Sequence, residues 1–299
     1  FFMIVWAAKR QKRDFPLITA DYHTHTAYSE DSETSPEAMV KRAVALGLKT
    51  LCITDHMDYL FPEKYAPETF VFDPRAYFKQ LLSLRETYRG RLDIRIGVEL
   101  GLRSEPDVRT ACIGHCKKLA ASYPFDFIIG STHVLEHTDP YYPEYWESHS
   151  AAEGMQTYFE SILESTENYN MFQVCGHLDY LVRYLPQETK NGEKVPRDYC
   201  FADYKELIGK ILKKLIESGR GIEVNTAAYK YGLPFAHPRT EILKLYKQLG
   251  GEILTIGSDA HATEHMAHGF ARAEEMLCSL GFRYYTVYRE RTPAFLPLG

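Results

Sequence analysis

The chain has little that would serve a disulfide framework. Its six cysteines (Cys52, Cys112, Cys116, Cys175, Cys200 and Cys278) are scattered over 299 residues, and Cys52 and Cys175 fall in apolar, strand-like runs. Thiols so placed read as reduced and buried, the usage of a cytoplasmic protein. Cys112 and Cys116 stand one helical turn apart, but no second pair accompanies them to complete a thiolate metal site, so helix packing is expected there. A long apolar run is also lacking. Phe1 to Ala8 is far too short to span a bilayer. The basic cluster of Lys9, Arg10, Lys12 and Arg13 follows that stretch, the wrong order for a secretion signal. Positive charge is not in excess: a formal charge of −5 and a pI near 6.2 argue against nucleic acid and membrane surfaces as partners. No linker or composition break divides the chain. One domain over residues 16–299 is expected, preceded by an extension, residues 1–15, that is disordered or artefactual, since the chain does not begin with Met.

What is present is the balance of a globular protein, 45% hydrophobic and 25% charged, with 22 tyrosines that suit a large core and an aromatic-rimmed pocket. The apolar patterning alternates between strand and helix. Pro16–Ala20 reads as a first strand. Ser35-Pro36-Glu37 is a helix start, with a capping serine, a proline at the first helical position and an acid in the first turn; Gly47 ends that helix. Thr50–Thr54 is the continuous apolar run of a strand buried on both faces. Further strands are expected at 92–100, 125–131, 172–175, 221–224, 252–256 and 284–288. Helices are expected at 73–88, 105–122, 151–168, from the 186–196 loop to Ser218, 238–249 and 264–280. Seven or eight such units favour an α/β fold with a closed barrel over an open sheet.

Nearly every expected strand ends in a potential metal ligand. The first ends in His23 and His25, which alternation places on one face; the second ends in Asp55-His56. Then follow Glu99, His133, His177 with Asp179, Glu223 with Asn225, and Asp259 with His261. In a βα barrel these ends converge on the face where active sites assemble. Imidazoles mixed with carboxylates, without thiolates, suit zinc, manganese or iron rather than calcium. The set over-supplies one ion, so two or three divalent ions are expected, with a carboxylate such as Glu99 able to bridge a pair.

His23-Thr-His25, Thr54-Asp55-His56, Gly97-Val-Glu99, Gly130-Ser-Thr-His133, Gly176-His177-Leu-Asp179 and Gly257-Ser-Asp259-Ala-His261 resemble, in order, the motifs of the polymerase and histidinol phosphatase (PHP) superfamily. Ile222–Thr226 and Thr292–Pro297 extend the resemblance to its histidinol-phosphate phosphatases. The resemblance implies a distorted (β/α)7 TIM-like barrel with a trinuclear metal site at the C-terminal ends of the strands. It assigns His23, His25, Glu99 and Asp259 to a first metal, and Glu99, His133 and His177 to a second. The third falls to His56, His261 and Asp31, where some relatives carry His; Asp still ligates but adds negative charge. The resemblance also makes Arg183 a phosphate clamp, in keeping with the bidentate geometry of guanidinium.

Arg197 and Arg239 lie in loops on the same face as candidate phosphate binders. Asp55, beside His56, either orients a ligand or handles the leaving-group proton. His115, His137, His149, His237 and His265 are expected to face solvent, with His268 as the substrate-proximal exception. Tyr141, Tyr142, Tyr145 and Trp146 form either a lid or core packing.

The function expected is that of a metal-dependent phosphomonoesterase of histidine biosynthesis, hydrolysing L-histidinol phosphate to L-histidinol and phosphate through attack of a metal-bridging hydroxide. A PHP-type phosphoesterase for a nucleotide or sugar phosphate is the alternative among enzymes. A non-catalytic metal-binding regulatory module is the alternative outside them, disfavoured by the complete ligand set. The sequence carries no signal for oligomeric state.

Overall fold

The computed structural model describes residues 18–65, 69–187 and 194–299. The expected extension over 1–15, the start of the first strand and residues 188–193 of the 186–196 loop lie outside these. In chain order the elements are β1 (Ala20–Asp21), α1 (Pro36–Ala45), β2 (Thr50–Ile53), β3 (His56–Met57), α2 (Pro74–Thr87), β4 (Asp93–Gly101), α3 (Pro106–Ser122) and β5 (Phe127–Ser131). They continue with α4 (Pro143–Ser148), α5 (Ala151–Asn168), β6 (Val174–Cys175), α6 (Phe201–Glu217), β7 (Gly221–Asn225), α7 (Ala227–Lys230) and α8 (Thr240–Gln248). Last come β8 (Leu254–Gly257), α9 (Phe270–Ser279), β9 (Tyr284–Arg289) and β10 (Thr292–Pro297).

Helix starts follow their capping chemistry. Ser35 Oγ accepts from Ala38 N, Asp73 accepts from Arg75 N, and Ser150 with Glu153 forms a reciprocal capping box at α5. β1, β2, β4, β5, β6, β7 and β8 pair side by side in that order, all parallel, with β3 beside β4. Tyr22 N donates to Ile256 O at 3.0 Å and Asp259 N to His23 O at 2.8 Å, which joins β8 back to β1. The result is the distorted seven-strand barrel that the strand-helix alternation and the motifs imply, with helices outside and apolar side chains between.

Two expected elements differ. Tyr284–Tyr288 is not a barrel strand. It belongs to β9, which pairs antiparallel with β10, because Glu290 and Arg291 both adopt positive φ (50° and 61°), the backbone of a tight hairpin turn. The hairpin packs under the N-terminal mouth of the barrel: Tyr22 Oη donates to Tyr288 O and Leu254 N donates to Thr286 Oγ1. The helix expected over 264–280 begins only at Phe270. Before it, Ala267 (φ 55°) turns its N–H to the buried Asp21 carboxylate, and Gly269 (φ 75°) passes where a Cβ would meet the Tyr229 ring at 2.5 Å.

Candidate metal centre

β1 runs into His23 and His25, and each ring is turned by its Nδ1. His23 Nδ1 lies 2.7 Å from Glu223 Oε1 at the end of β7, leaving Nε2 3.1 Å from Glu99 Oε2. His25 Nδ1 lies 3.1 Å from Ser29 Oγ, leaving Nε2 3.3 Å from Asp259 Oδ1 and 3.5 Å from Glu99 Oε2. Glu99, fully buried on the inner face of β4, is the hub. Its Oε1 takes a hydrogen bond from Ser131 Oγ at 2.6 Å and lies 2.9 Å from His177 Nε2 and 3.3 Å from His133 Nε2. His133 is oriented by Asp58, 2.6 Å from its Nδ1. His56 brings Nδ1 to 3.1 Å from Glu99 Oε2, and His261 brings Nε2 to 3.1 Å from Asp31 Oδ2. Asp259 occupies positive φ (52°), which aims its carboxylate back at His23 and His25.

All nine candidate ligands therefore converge. Six of them form three overlapping groups with ligand atoms within 4.8 Å of one another: His23, His25 and Glu99; His56, Glu99 and His133; His25, His56 and His261. His177, Asp259 and Asp31 join through contacts to Glu99, His25 and His261 respectively. The first group holds three of the four residues that the resemblance gives a first metal, whereas His56 leans toward Glu99 and His133 as well as toward Asp31.

The chemistry of the set fits divalent ions. His23 Nε2, His25 Nε2, His56 Nδ1, His261 Nε2 and Glu99 Oε2 are buried without a hydrogen-bond partner, an arrangement that costs free energy unless something electron-poor sits among them. Burial disfavours charge on Glu99, but His23, His56 and His133 outweigh it and hold the carboxyl well below its ordinary range. Burial likewise opposes a charged His23 ring, yet Glu223, Glu99 and Asp259 hold it well above. Burial, with the charges of His261 and His56, pushes His25 down to about 3.

Asp55 does not face the cavity. Its oxygens accept from Thr26 N, Thr26 Oγ1 and Ser29 Oγ at 2.6–2.8 Å, so the carboxylate braces the loop carrying His25, which supports orientation over proton transfer.

Above the ligands opens a cavity of about 520 Å³. Arg183 lines it, stacked 4.7–5.0 Å from the rings of Tyr180, Tyr184 and Tyr231, with Nη1 4.0 Å from Asp259 Oδ2 and a buried, unpartnered Nε. Arg197, Arg239 and His268 are not among its lining residues. Arg239 pairs with Glu241 and Asp198 and stacks on Tyr199 and Phe235, while His268 is exposed. His237, expected at the surface, is fully buried with Nδ1 2.8 Å from Asp179, because that carboxylate sits inside the wall between β6 and the β7–α8 loop.

The aromatic insertion divides. Tyr141 and Tyr142 line the cavity, Tyr142 stacking 4.2 Å from Tyr65, while Tyr145 is buried and Trp146 packs at Gly154 of α5. The sulfurs of Cys112 and Cys116 lie 4.0 Å apart, buried in α3, and neither belongs to a ligand group. Sequence reasoning did not assign Glu223, Asp58 or Ser131 as partners of ligands, nor Tyr180, Tyr184, Tyr231, Lys230 and Asp139 as cavity walls. Asp58 stands two residues after His56 and Ser131 two before His133, a spacing by which strand alternation puts each pair on one face, and Glu223 lies at a strand end.

A family model for the PHP domain matches residues 21–227. The histidinol-phosphatase of Lactococcus lactis is 30% identical over 88% of this chain and 91% of its own length. The crystal structure of histidinol phosphate phosphatase from Lactococcus lactis, complexed with zinc, L-histidinol and phosphate, superposes with a TM-score of 0.80 at 26% identity, covering 93% of this chain and 99% of the other. A putative histidinol phosphatase from Listeria monocytogenes shares the fold, with a TM-score of 0.69 at 18% identity over 85% of this chain and 99% of the other. The matched span runs from the strand carrying His23 and His25 to the end of β7, taking in six of the seven barrel strands that build the ligand cluster, and it places the chain in the PHP domain family.

Proposed function

We infer that the protein is a metal-dependent phosphomonoesterase that hydrolyses L-histidinol phosphate to L-histidinol and phosphate. The observation that carries this is the position of Arg183, a buried guanidinium held 4.0 Å from the candidate ligand Asp259 at the wall of the same cavity. A phosphate group lying over the ligand cluster would find a planar, bidentate donor beside it.

His23, His25, Asp31, His56, Glu99, His133, His177, Asp259 and His261 would hold two or three divalent ions (zinc, manganese or iron), which would supply Lewis acidity and lower the pKa of water there. Glu99, central to two of the ligand groups, is the residue suited to bridge ions. Arg183 binds the equatorial phosphate oxygens, and the tyrosines stacked on it fix its plane and keep it desolvated, where its charge counts most. The aromatic wall of Phe61, Phe70, Tyr141, Tyr142 and Tyr184 offers ring faces to an imidazole, and Glu30 and Asp139 offer carboxylates to an ammonium group. The Lactococcus lactis enzyme solved with L-histidinol and phosphate supports this substrate over a nucleotide or sugar phosphate.

No described helix is long and apolar enough to cross a membrane. The six free thiols support a reducing compartment, the cytoplasm.

The test is phosphate release from L-histidinol phosphate by the metal-loaded protein. Release should stop on chelation and return when zinc or manganese is restored. Release that persists through complete metal removal would contradict the proposal.

A further inference from the structure

At the opposite end of the barrel from the metal centre lies a second cavity, of about 690 Å³, within the size range of small-ligand sites. Six of its lining residues are cationic: Lys49 ahead of β2, Arg85 near the end of α2, Arg89 and Arg91 in the turn that follows, Arg95 in β4 and Arg289 at the end of β9. Three are acidic: Asp93, Asp126 and Glu290. In a chain of net charge −5, this lining carries twice as many cations as acids.

Two of the three acids, Asp93 and Asp126, are already engaged, and Glu290 is exposed at the rim. Asp126 accepts from Ile96 N at 2.9 Å, Glu290 N at 3.1 Å and Arg85. Asp93 is shared between Arg95 and Arg289. Arg89 pairs with Glu86 at the rim. Lys49 and Arg91 have no carboxylate partner among the described residues, and Arg91 stacks on Tyr88 instead.

Arg95 is the informative residue. Its side chain is only 11% exposed, yet Nε is buried with no hydrogen-bond partner. It shares the inward face of β4 with Glu99, four residues on, so one strand presents a cation at the lower mouth and a carboxylate at the metal centre, about 13 Å apart along the chain. An ordinary solvated basic face would be convex and would leave no buried guanidinium nitrogen unpaired.

We propose that this mouth is a binding site for a small polyanion, a metabolite bearing two or more phosphate groups. Guanidinium groups match phosphate oxygens in pairs, and six cations line one cavity of about 690 Å³, which has room for more than one phosphate group. Among the described residues no aromatic side chain lines the cavity to stack a base, so the phosphates carry recognition.

The test is calorimetric titration of the metal-loaded protein with inositol hexasulfate, a polyanion that is not a phosphate ester. One site per chain is expected. Lys49→Glu with Arg289→Glu alters two exposed positions and should weaken binding about tenfold or more, the loss of one or two charge-assisted contacts. Arg95→Gln should weaken it as well, and Arg183→Ala at the other end should leave it unchanged. Fructose 1,6-bisphosphate should displace the probe at lower concentration than fructose 6-phosphate. Absence of binding at low salt, an affinity indifferent to the Lys49 and Arg289 changes, or loss with Arg183→Ala would overturn the site. Equal displacement by the two sugar phosphates would overturn its preference for two phosphate groups.

Discussion

His23 Nδ1 and Glu223 Oε1 lie 2.7 Å apart with both side chains buried, and that contact decides which nitrogen of His23 faces the ligand cluster. The same carboxylate accepts from His177 N at 2.9 Å, so it sets two candidate ligands from two strands. Replacing Glu223 with Gln keeps the shape but weakens the hold on the ring. Metal affinity should fall about 10- to 100-fold, with the metal-free protein melting almost as before. Equilibrium dialysis against buffered zinc or manganese reads this, and an unchanged affinity would show that Glu223 only packs.

Backbone approach is as tight as side-chain approach. A Cβ on Gly257 would lie 2.3 Å from His23 Cβ and 2.5 Å from Glu223 Oε1. Gly257→Ala should therefore cost about 1–3 kcal/mol by overpacking and lower metal content as well. Gly114→Ala, in the interior of α3 with nothing within 4 Å of the new methyl, should gain about 0.5–1 kcal/mol. Denaturant melts of the pair measure the contrast; equal effects would contradict the crowding at the centre.

Asp31 is about half exposed, 3.1 Å from His261 and 3.8 Å from His56, while the other ligand groups are closed over by strands. Asp31→Ala should remove up to one ion per chain, leaving the ion at His23, His25 and Glu99 in place. Metal counting by mass spectrometry after dialysis tests this. Loss of all metal would mean that the three groups do not fill separately.

Arg183→Ala should lower kcat/KM about 100-fold, the scale of losing one donor to developing charge, with metal content unchanged. If metal is lost with the guanidinium, Arg183 maintains the centre and does not clamp phosphate.

Much of this was legible in the strand ends. His23, His25, His56, Glu99, His133, His177, Asp259 and His261 each follow an apolar run, and a parallel barrel brings such positions to one mouth whatever the intervening helices do. The hairpin of β9 and β10 was not legible, because an apolar alternating run reads the same whether it closes a barrel or plugs one; Glu290 and Arg291 supply the turn without the glycine that would announce it. Arg239 shows the complementary gap. Its loop sits on the expected face, but Glu241, two residues on, draws the guanidinium away from the cavity. His237 was hidden similarly, since its burial depends on Asp179 from a different strand. Partners such as Glu223 and Asp58 are contacts between strands distant in sequence, and only the register of the barrel reveals them.

The central claim is most directly tested by kcat/KM for phosphate release, measured side by side on L-histidinol phosphate, nucleoside monophosphates and sugar phosphates with the fully metal-loaded protein. The account requires L-histidinol phosphate to lead the panel by about tenfold or more, since the ring-faced wall and its carboxylates fit an imidazole and an ammonium group. Equal rates across the panel, or a nucleotide in front, would contradict it.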